Sequence, residues 1–366
     1  MSWAIWLTGL PGSGKSVIAR AAAARLAGLG AEPVVLELDA MRAIATPRPT
    51  YSDAERDVVY RALVFAAVAL TESGVPVLID ATAHRHAWRD LARASIGKFA
   101  EVQLECRLEV CRAREEARPR GHAPAGIYAS AGRPAGRVPG VDVAYEPAQA
   151  PELTLNTEAV TVTAAAEAVV SLALAMGPAT RRPRRDEGAV MWLTGPPGSG
   201  KTTLASRLAE TLEADGVAVA RLDWHALRAV VLGADHVTER DHDIAHRALV
   251  YVAKLLADSG LLVVVDAAAP RRAWRALARE LIGTFAEVQL VCPLEICGER
   301  ERAVRWRPRR CPNGGDVLTA PEDVLNYEHS LNPDLLVETH ARSEWAAVED
   351  LVRLARRLCR RPHTRE

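Results

Sequence analysis

An excess of either charge is missing from this chain. Its 366 residues carry 46 lysines and arginines against 46 aspartates and glutamates. That balance lacks the electrostatic signature of a nucleic-acid or anionic-membrane partner, and a small molecule becomes the expected partner. Long apolar runs are missing too. The longest, near 164–176, is interrupted by Glu167 and falls short of the roughly 20 residues needed to span a bilayer core. Cysteine is sparse. Cys106, Cys111, Cys292, Cys297, Cys311 and Cys359 form no CxxC pair and no zinc spacing with histidine, so buried reduced thiols in a cytoplasmic protein are expected. The apolar opening WAIWL has neither a basic front nor a cleavage site, and it reads as a first strand rather than a signal peptide.

What the chain does have, it has twice. WLTGLPGSGKS at Trp6 returns as WLTGPPGSGKT at Trp192, and IGKFAEVQLECRLEVC at Ile96 returns as IGTFAEVQLVCPLEIC at Ile282. Lys15 and Lys201 stand 186 positions apart, and so do Arg61 and Arg247, Asp80 and Asp266, and Trp88 and Trp274. A period of that length means duplicated domains rather than a solenoid. We place the first domain at 1–176, a Pro- and Arg-rich linker at 177–189, and the second domain at 190–360. A homodimer and an intramolecular pairing of the two domains both stay open.

Within each copy, short aliphatic runs alternate with helical patterns: AIWLTG, VIARAAAARLAGLG, PVVLELD, RALVFAAVALTESG, PVLIDA, WRDLARASIG and AEVQLEC. This alternation predicts an α/β fold, two three-layer domains of phosphate-loop type, each a mostly parallel sheet flanked by helices. Trp88 and Trp274 lie on matching amphipathic helices and are expected in the cores.

The chemistry starts at the glycine loops. Gly9 to Ser16 and Gly195 to Thr202 both fit GxxxxGK[ST] between a strand and a helix. In such a loop Gly9, Gly12, Ser13 and Gly14, or Gly195, Gly198, Ser199 and Gly200, surround phosphate oxygens with backbone N–H groups. Lys15 or Lys201 reaches the β- and γ-phosphates of ATP, and the Ser16 or Thr202 hydroxyl binds Mg²⁺. Asp80 and Asp266 end the strand-like runs VPVLID and LLVVVD, where a carboxylate helps place Mg²⁺ or its water; a helix cap or turn is the alternative.

Further motifs point to a family. LELDAMR and LDWHALR resemble the LDGDNVR motif of adenylyl-sulfate kinases, and YSDAERDVVYRALVFAAVAL resembles that family's FSxxDRxENIRR helix. LEVCRARE and PGVDVAYEPAQAPELTLNT resemble its LEVCExRD and TGIDSPYEAPxxPELxLxT segments. The resemblance implies transfer of the γ-phosphate of Mg-ATP to the 3′-hydroxyl of adenosine 5′-phosphosulfate. It implies Lys15 and Asp39 as catalytic residues, Arg42 and Arg56 as holders of the phosphosulfate, and Tyr51 as the aromatic stacked on the adenine.

The pattern also breaks. The family's asparagine in the DRxENIRR helix is Val59 here and Ala245 in the second copy; its SPYR is AHRH and APRR; its phenylalanine before TGID is Val138; and its KGLY lysine is Ala125. In the second copy His225, Val237 and His242 replace Asp39, Tyr51 and Arg56. The first copy is therefore expected to catalyse. The second either transfers to something else or binds ATP and stabilises its neighbour. Another small anionic acceptor, or an ATP-binding regulatory protein without transfer, are the alternatives.

Overall fold

A computed structural model describes residues 1–117, 126–132, 137–178, 188–233, 237–305 and 327–359. Ala125, Cys311, most of the linker and much of the second copy's segment 305–339 lie outside the described residues. The chain divides into two compact units: Met1–Arg182 together with Leu227–Tyr251, and Pro183–Ala226 together with Val252–Glu366. Part of the second repeat thus belongs to the first unit.

The first repeat runs β1 (Ala4–Thr8), α1 (Lys15–Gly28), β2 (Val34–Glu37), α2 (Leu38–Ala45), α3 (Asp53–Glu72), β3 (Val77–Asp80), α4 (His86–Ser95), β4 (Phe99–Glu105), α5 (Leu108–Glu116), β5 (Leu153–Asn156) and α6 (Val162–Ala175). Its sheet is parallel throughout in the order β2-β3-β1-β4-β5. Ala4 pairs with Val77 on one side and Phe99 on the other, so every strand in the middle of the sheet ends at the same edge. That edge carries the loops, as open parallel sheets require of their ligand sites.

The second repeat runs β6 (Ala189–Thr194), α7 (Lys201–Ala214), β7 (Val219–Asp223), α8 (Trp224–Val231), α9 (Glu239–Asp258), β8 (Leu262–Asp266), α10 (Arg272–Leu281), β9 (Phe285–Val291), α11 (Leu294–Arg305), β10 (Leu335–Glu338) and α12 (Glu344–Leu358). Its parallel sheet has the same order, β7-β8-β6-β9-β10. The expected α/β architecture is present in both repeats.

Both faces of the first sheet are covered, which explains why β1 is buried at every position and apolar up to Thr8. Ile5 and Leu7 meet Ile18, Ala22 and Leu26 of α1 and Val169 and Ala173 of α6. The alanines at 19 and 22 are fully buried and let α1 lie close to its neighbours. Trp6 points to the other face, fully buried, with its indole N–H donated to Ala81 O at 2.9 Å. Trp192 repeats that bond to Ala267 O at 3.1 Å. Trp88 and Trp274 are buried as expected, and Trp88 stacks on Tyr60 with ring centroids 4.0 Å apart.

Candidate active site

Each glycine loop leaves its strand and opens into its helix, with Lys15 and Lys201 as first helical residues of α1 and α7. Gly12 shows why glycine is needed. Its φ is +81°, and a Cβ there would strike the carbonyl oxygen of Cys111 in α5; Gly198 meets Cys297 in the same way. The ammonium of Lys15 curls back to Gly9 O and Leu10 O, both at 3.0 Å, and Lys201 does so to Gly195 O and Pro196 O, both at 2.9 Å. In both repeats the lysine closes the loop on itself. The Oγ atoms of Ser13 and Ser199 are buried inside the two loops and have no hydrogen-bond partner among the described residues. Unused donors, a helix N-terminus and a cation at one point suit a polyphosphate.

Asp80 ends β3 beside the loop and is buried, with its carboxyl hydrogen-bonded to the Ser16 hydroxyl. Burial pushes its pKa up, while Lys15 and Ser16 pull it down. Asp266 and Thr202 form the same pair, again with the carboxyl raised chiefly by burial. A hydroxyl and a carboxylate side by side are oxygen donors of the kind a hard divalent cation takes, so the residues present fit Mg²⁺.

The acceptor-side residues of the first repeat also come together. Asp39 and Arg42 sit on α2, directly after β2, and both act electrostatically on Tyr51. The Arg42 guanidinium lies over the Tyr51 ring, 5.2 Å from its centre. Arg56, on the first turn of α3, donates from Nε to Tyr51 O at 3.1 Å and from a terminal nitrogen to Arg137 O at 2.5 Å. Tyr51 itself has φ +54°, a left-handed conformation that costs a side-chain-bearing residue about 1 kcal/mol or more.

What holds Tyr51 there is a residue the motif reading did not single out. Glu55 is 2% exposed and takes the N–H of Thr50 at 2.9 Å, the N–H of Tyr51 at 3.1 Å and the Thr50 hydroxyl at 2.8 Å. It also meets Arg42 at 3.4 Å. Burial opposes its ionisation, but the bonds from Thr50, Arg240 and Tyr51 outweigh burial and hold the carboxyl below its usual range. The signal was present in sequence: Ser52 caps α3 by accepting from Glu55 N, and S-x-x-E is the capping-box pattern. In the second repeat the shorter Asp241 accepts from the N–H and the hydroxyl of Thr238, the residue before α9.

Two further features flank the site. Ala83 and Ala269 both have positive φ, near +40°, just past the strand-end aspartates. Arg89 and Arg275, each 1% exposed, donate to those alanines' carbonyls and pair with Glu101 and Glu287 at 2.7 Å. His84 is buried against Trp88, with Nδ1 lacking a partner among the described residues. Burial first, then Arg56 and Arg85, push its pKa down to about 4, so it is neutral at physiological pH.

The model of the adenylylsulphate kinase family matches residues 1–156 and again 187–338. The chain belongs to the adenylylsulphate kinase family. A probable adenylyl-sulfate kinase of Archaeoglobus fulgidus is 34% identical over 157 residues, which are 41% of this chain and 95% of that protein. The adenylyl-sulfate kinase of Rippkaea orientalis is 35% identical over 179 residues, 47% of this chain and 97% of that protein. The solved APS kinase of Mycobacterium tuberculosis in complex with AMPPNP and APS is 30% identical; it covers 47% of this chain and 99% of its own, with a TM-score of 0.40. This is an enzyme of the phosphotransferase class, an ATP-binding P-loop kinase carrying its domain in tandem. Among the described residues no helix is long and apolar enough to cross a membrane.

The second repeat differs from the first at the positions matching Asp39, Tyr51 and Arg56. His225 is exposed on α8 and lies near enough to Asp266 to favour its ionised form. His225 lies in the segment Pro183–Ala226 of the second unit, whereas Val237 and His242 lie in Leu227–Tyr251, which belongs to the first.

Proposed function

We propose that the first repeat transfers the γ-phosphoryl group of Mg-ATP to the 3′-hydroxyl of adenosine 5′-phosphosulfate, and that the second repeat binds ATP without completing an acceptor site. The observation that carries this reading is the cluster of Asp39, Arg42, Glu55 and Arg56 around Tyr51, at the strand-end edge that also bears the Lys15 loop.

In this reading the backbone of Gly9 to Ser16 and Lys15 hold the polyphosphate, while Ser16 and Asp80 hold Mg²⁺, which when bound neutralises charge on the transferring group. Arg42 and Arg56 hold the anionic end of the acceptor and Tyr51 stacks on its base. Asp39 takes the proton of the attacking hydroxyl as the new O–P bond forms and the β–γ bridging P–O bond breaks, releasing ADP. Positioning and charge neutralisation supply the rate, since such a transfer asks for little covalent chemistry from the protein. The reaction places the chain in sulfate activation, in a cytoplasmic setting. The catalytic domain is 1–176, joined through 177–189 to a nucleotide-binding domain at 190–360.

A second reading, transfer to another small anionic acceptor, is favoured by Val59 and Val138. Both are buried apolar side chains where the family motif carries a hydrogen-bonding asparagine and an aromatic ring. ADP release from Mg-ATP, measured with and without adenosine 5′-phosphosulfate, separates the two. Stimulation that Lys15→Ala abolishes and Lys201→Ala leaves supports the first reading. Absence of stimulation with ATP binding intact rejects that acceptor, and no stimulation by any anionic hydroxyl compound would favour a binding protein.

A further inference from the structure

We propose that Arg240, contributed by the second repeat, is a positioning residue for the acceptor site of the first. It lies in Leu227–Tyr251, the part of the second repeat that belongs to the first compact unit. One terminal nitrogen of Arg240 donates to Glu55 Oε2 and to Arg48 O, both at 2.7 Å. Glu55 is the carboxylate that fixes the backbone of Thr50 and Tyr51, and among the described residues the other cation paired with it, Arg42, meets it by one nitrogen at 3.4 Å. The tighter ion pair of this buried carboxylate therefore comes from the second repeat.

The arrangement has a chemical consequence. A buried carboxylate with one cation nearby claims that cation. With Arg240 neutralising Glu55, the Arg42 guanidinium stays on the Tyr51 ring instead of collapsing onto the acid, and its charge remains available to an anion. The helix containing Arg240 gives no reason of its own for the residue. Arg240 is the second residue of α9, where the helix dipole disfavours a cation. Nor is the contact returned, because the first repeat has Ala54 at the matching position, and Asp241, the match of Glu55, is engaged with Thr238. A repeat with Val237 and His242 in place of the acceptor-binding residues thus retains an arginine that serves the other repeat's site.

This inference rests on the reading that Arg42, Tyr51 and Arg56 hold the acceptor, and its test has one arm that does not. In the full chain, Arg240→Ala should raise the KM for adenosine 5′-phosphosulfate about ten-fold, with kcat and the KM for ATP within about two-fold of the parent. Arg240→Lys should recover most of that loss. In the Glu55→Gln background the effect of Arg240→Ala should largely vanish, since no buried charge is left unpaired. The independent arm is hydrogen exchange over residues 48–56. Arg240→Ala should speed exchange of the Thr50 and Tyr51 amides at least several-fold, whatever the acceptor is. Unchanged exchange, or equal losses of kcat and both KM values, would overturn the proposal. A parent enzyme unresponsive to adenosine 5′-phosphosulfate, with exchange still faster in Arg240→Ala, would reject the acceptor reading alone.

Discussion

The two repeats agree where phosphate binds and differ where an acceptor would. Their glycine loops, lysine hydrogen bonds, strand-end aspartates, left-handed alanines and buried arginine clamps coincide almost atom for atom. Tyr51, Arg56 and Asp39 have become Val237, His242 and His225. The agreeing part is built from backbone geometry and closely packed glycines, which tolerate few residues. The differing part consists of side chains on α2, on α3 and on the loop between them, which can be exchanged without disturbing the sheet. Duplication thus keeps what the fold needs and lets go of what only the substrate needs.

The sharpest way to break this comparison is at the loops. Lys15→Ala should lower transfer by about 1,000-fold or more, whereas Lys201→Ala should leave transfer nearly intact and reduce bound ATP from two equivalents to one. Equal losses from both substitutions would show that the second repeat also transfers phosphate.

The clamps should behave as a pair. Arg89→Ala strips Glu101 of its tightest partner and leaves it Arg93 at 3.6 Å, and the poorly compensated buried carboxylate should cost about 3 kcal/mol in urea unfolding. Arg275→Ala should cost a similar amount through Glu287. A large difference between them would mean that the repeats do not share this element energetically.

His84 offers a difference in pH response, because the second repeat has Pro270 at its position. Its folded pKa, about 4, is depressed below the unfolded value of 6.5. The neutral ring is therefore favoured in the fold, and stability present above pH 6.5 is lost as pH falls toward 4. The loss reaches about 3 kcal/mol at most. His84→Asn should flatten the unfolding profile of the parent across that window; an unchanged slope would contradict the burial argument.

The smallest expected effect concerns the strand-end carboxylates in the absence of nucleotide and metal. Burial raises the pKa of Asp80 and Asp266, so ionising them costs stability as pH rises above the unfolded carboxyl range. Asp80→Asn and Asp266→Asn should each raise the melting temperature of the ligand-free protein by a few degrees at neutral pH, and leave it unchanged near pH 3. A lower melting temperature at neutral pH would show that Lys15 or Lys201 more than offsets burial.

Much of this molecule was legible in its residues, and the reasons differ by region. The strands were visible because a parallel sheet covered on both faces needs unbroken aliphatic runs, as at VPVLID and LLVVVD. The loops were visible because their glycines answer a local backbone demand. Asp39, Arg42, Tyr51 and Arg56 were found only through family motifs; no periodicity or spacing marks them. Glu55 carried a readable capping signal, yet its hold on Tyr51 depends on a side chain turning back over the preceding loop. In sequence His84 is only part of AHRH, a departure from the family motif, and its burial against Trp88 is set by the packing of α4 on the sheet.

By itself the sequence determined the duplication, because matching segments recur 186 positions apart, and it determined the α/β class, the two phosphate loops and the acids that end the strands, because each of these arises from near neighbours. The tertiary structure decided which cation Glu55 would hold. Arg240 and Glu55 are 185 positions apart, and a charge is selected there by the burial of the carboxylate and by distance, neither of which is local to the chain.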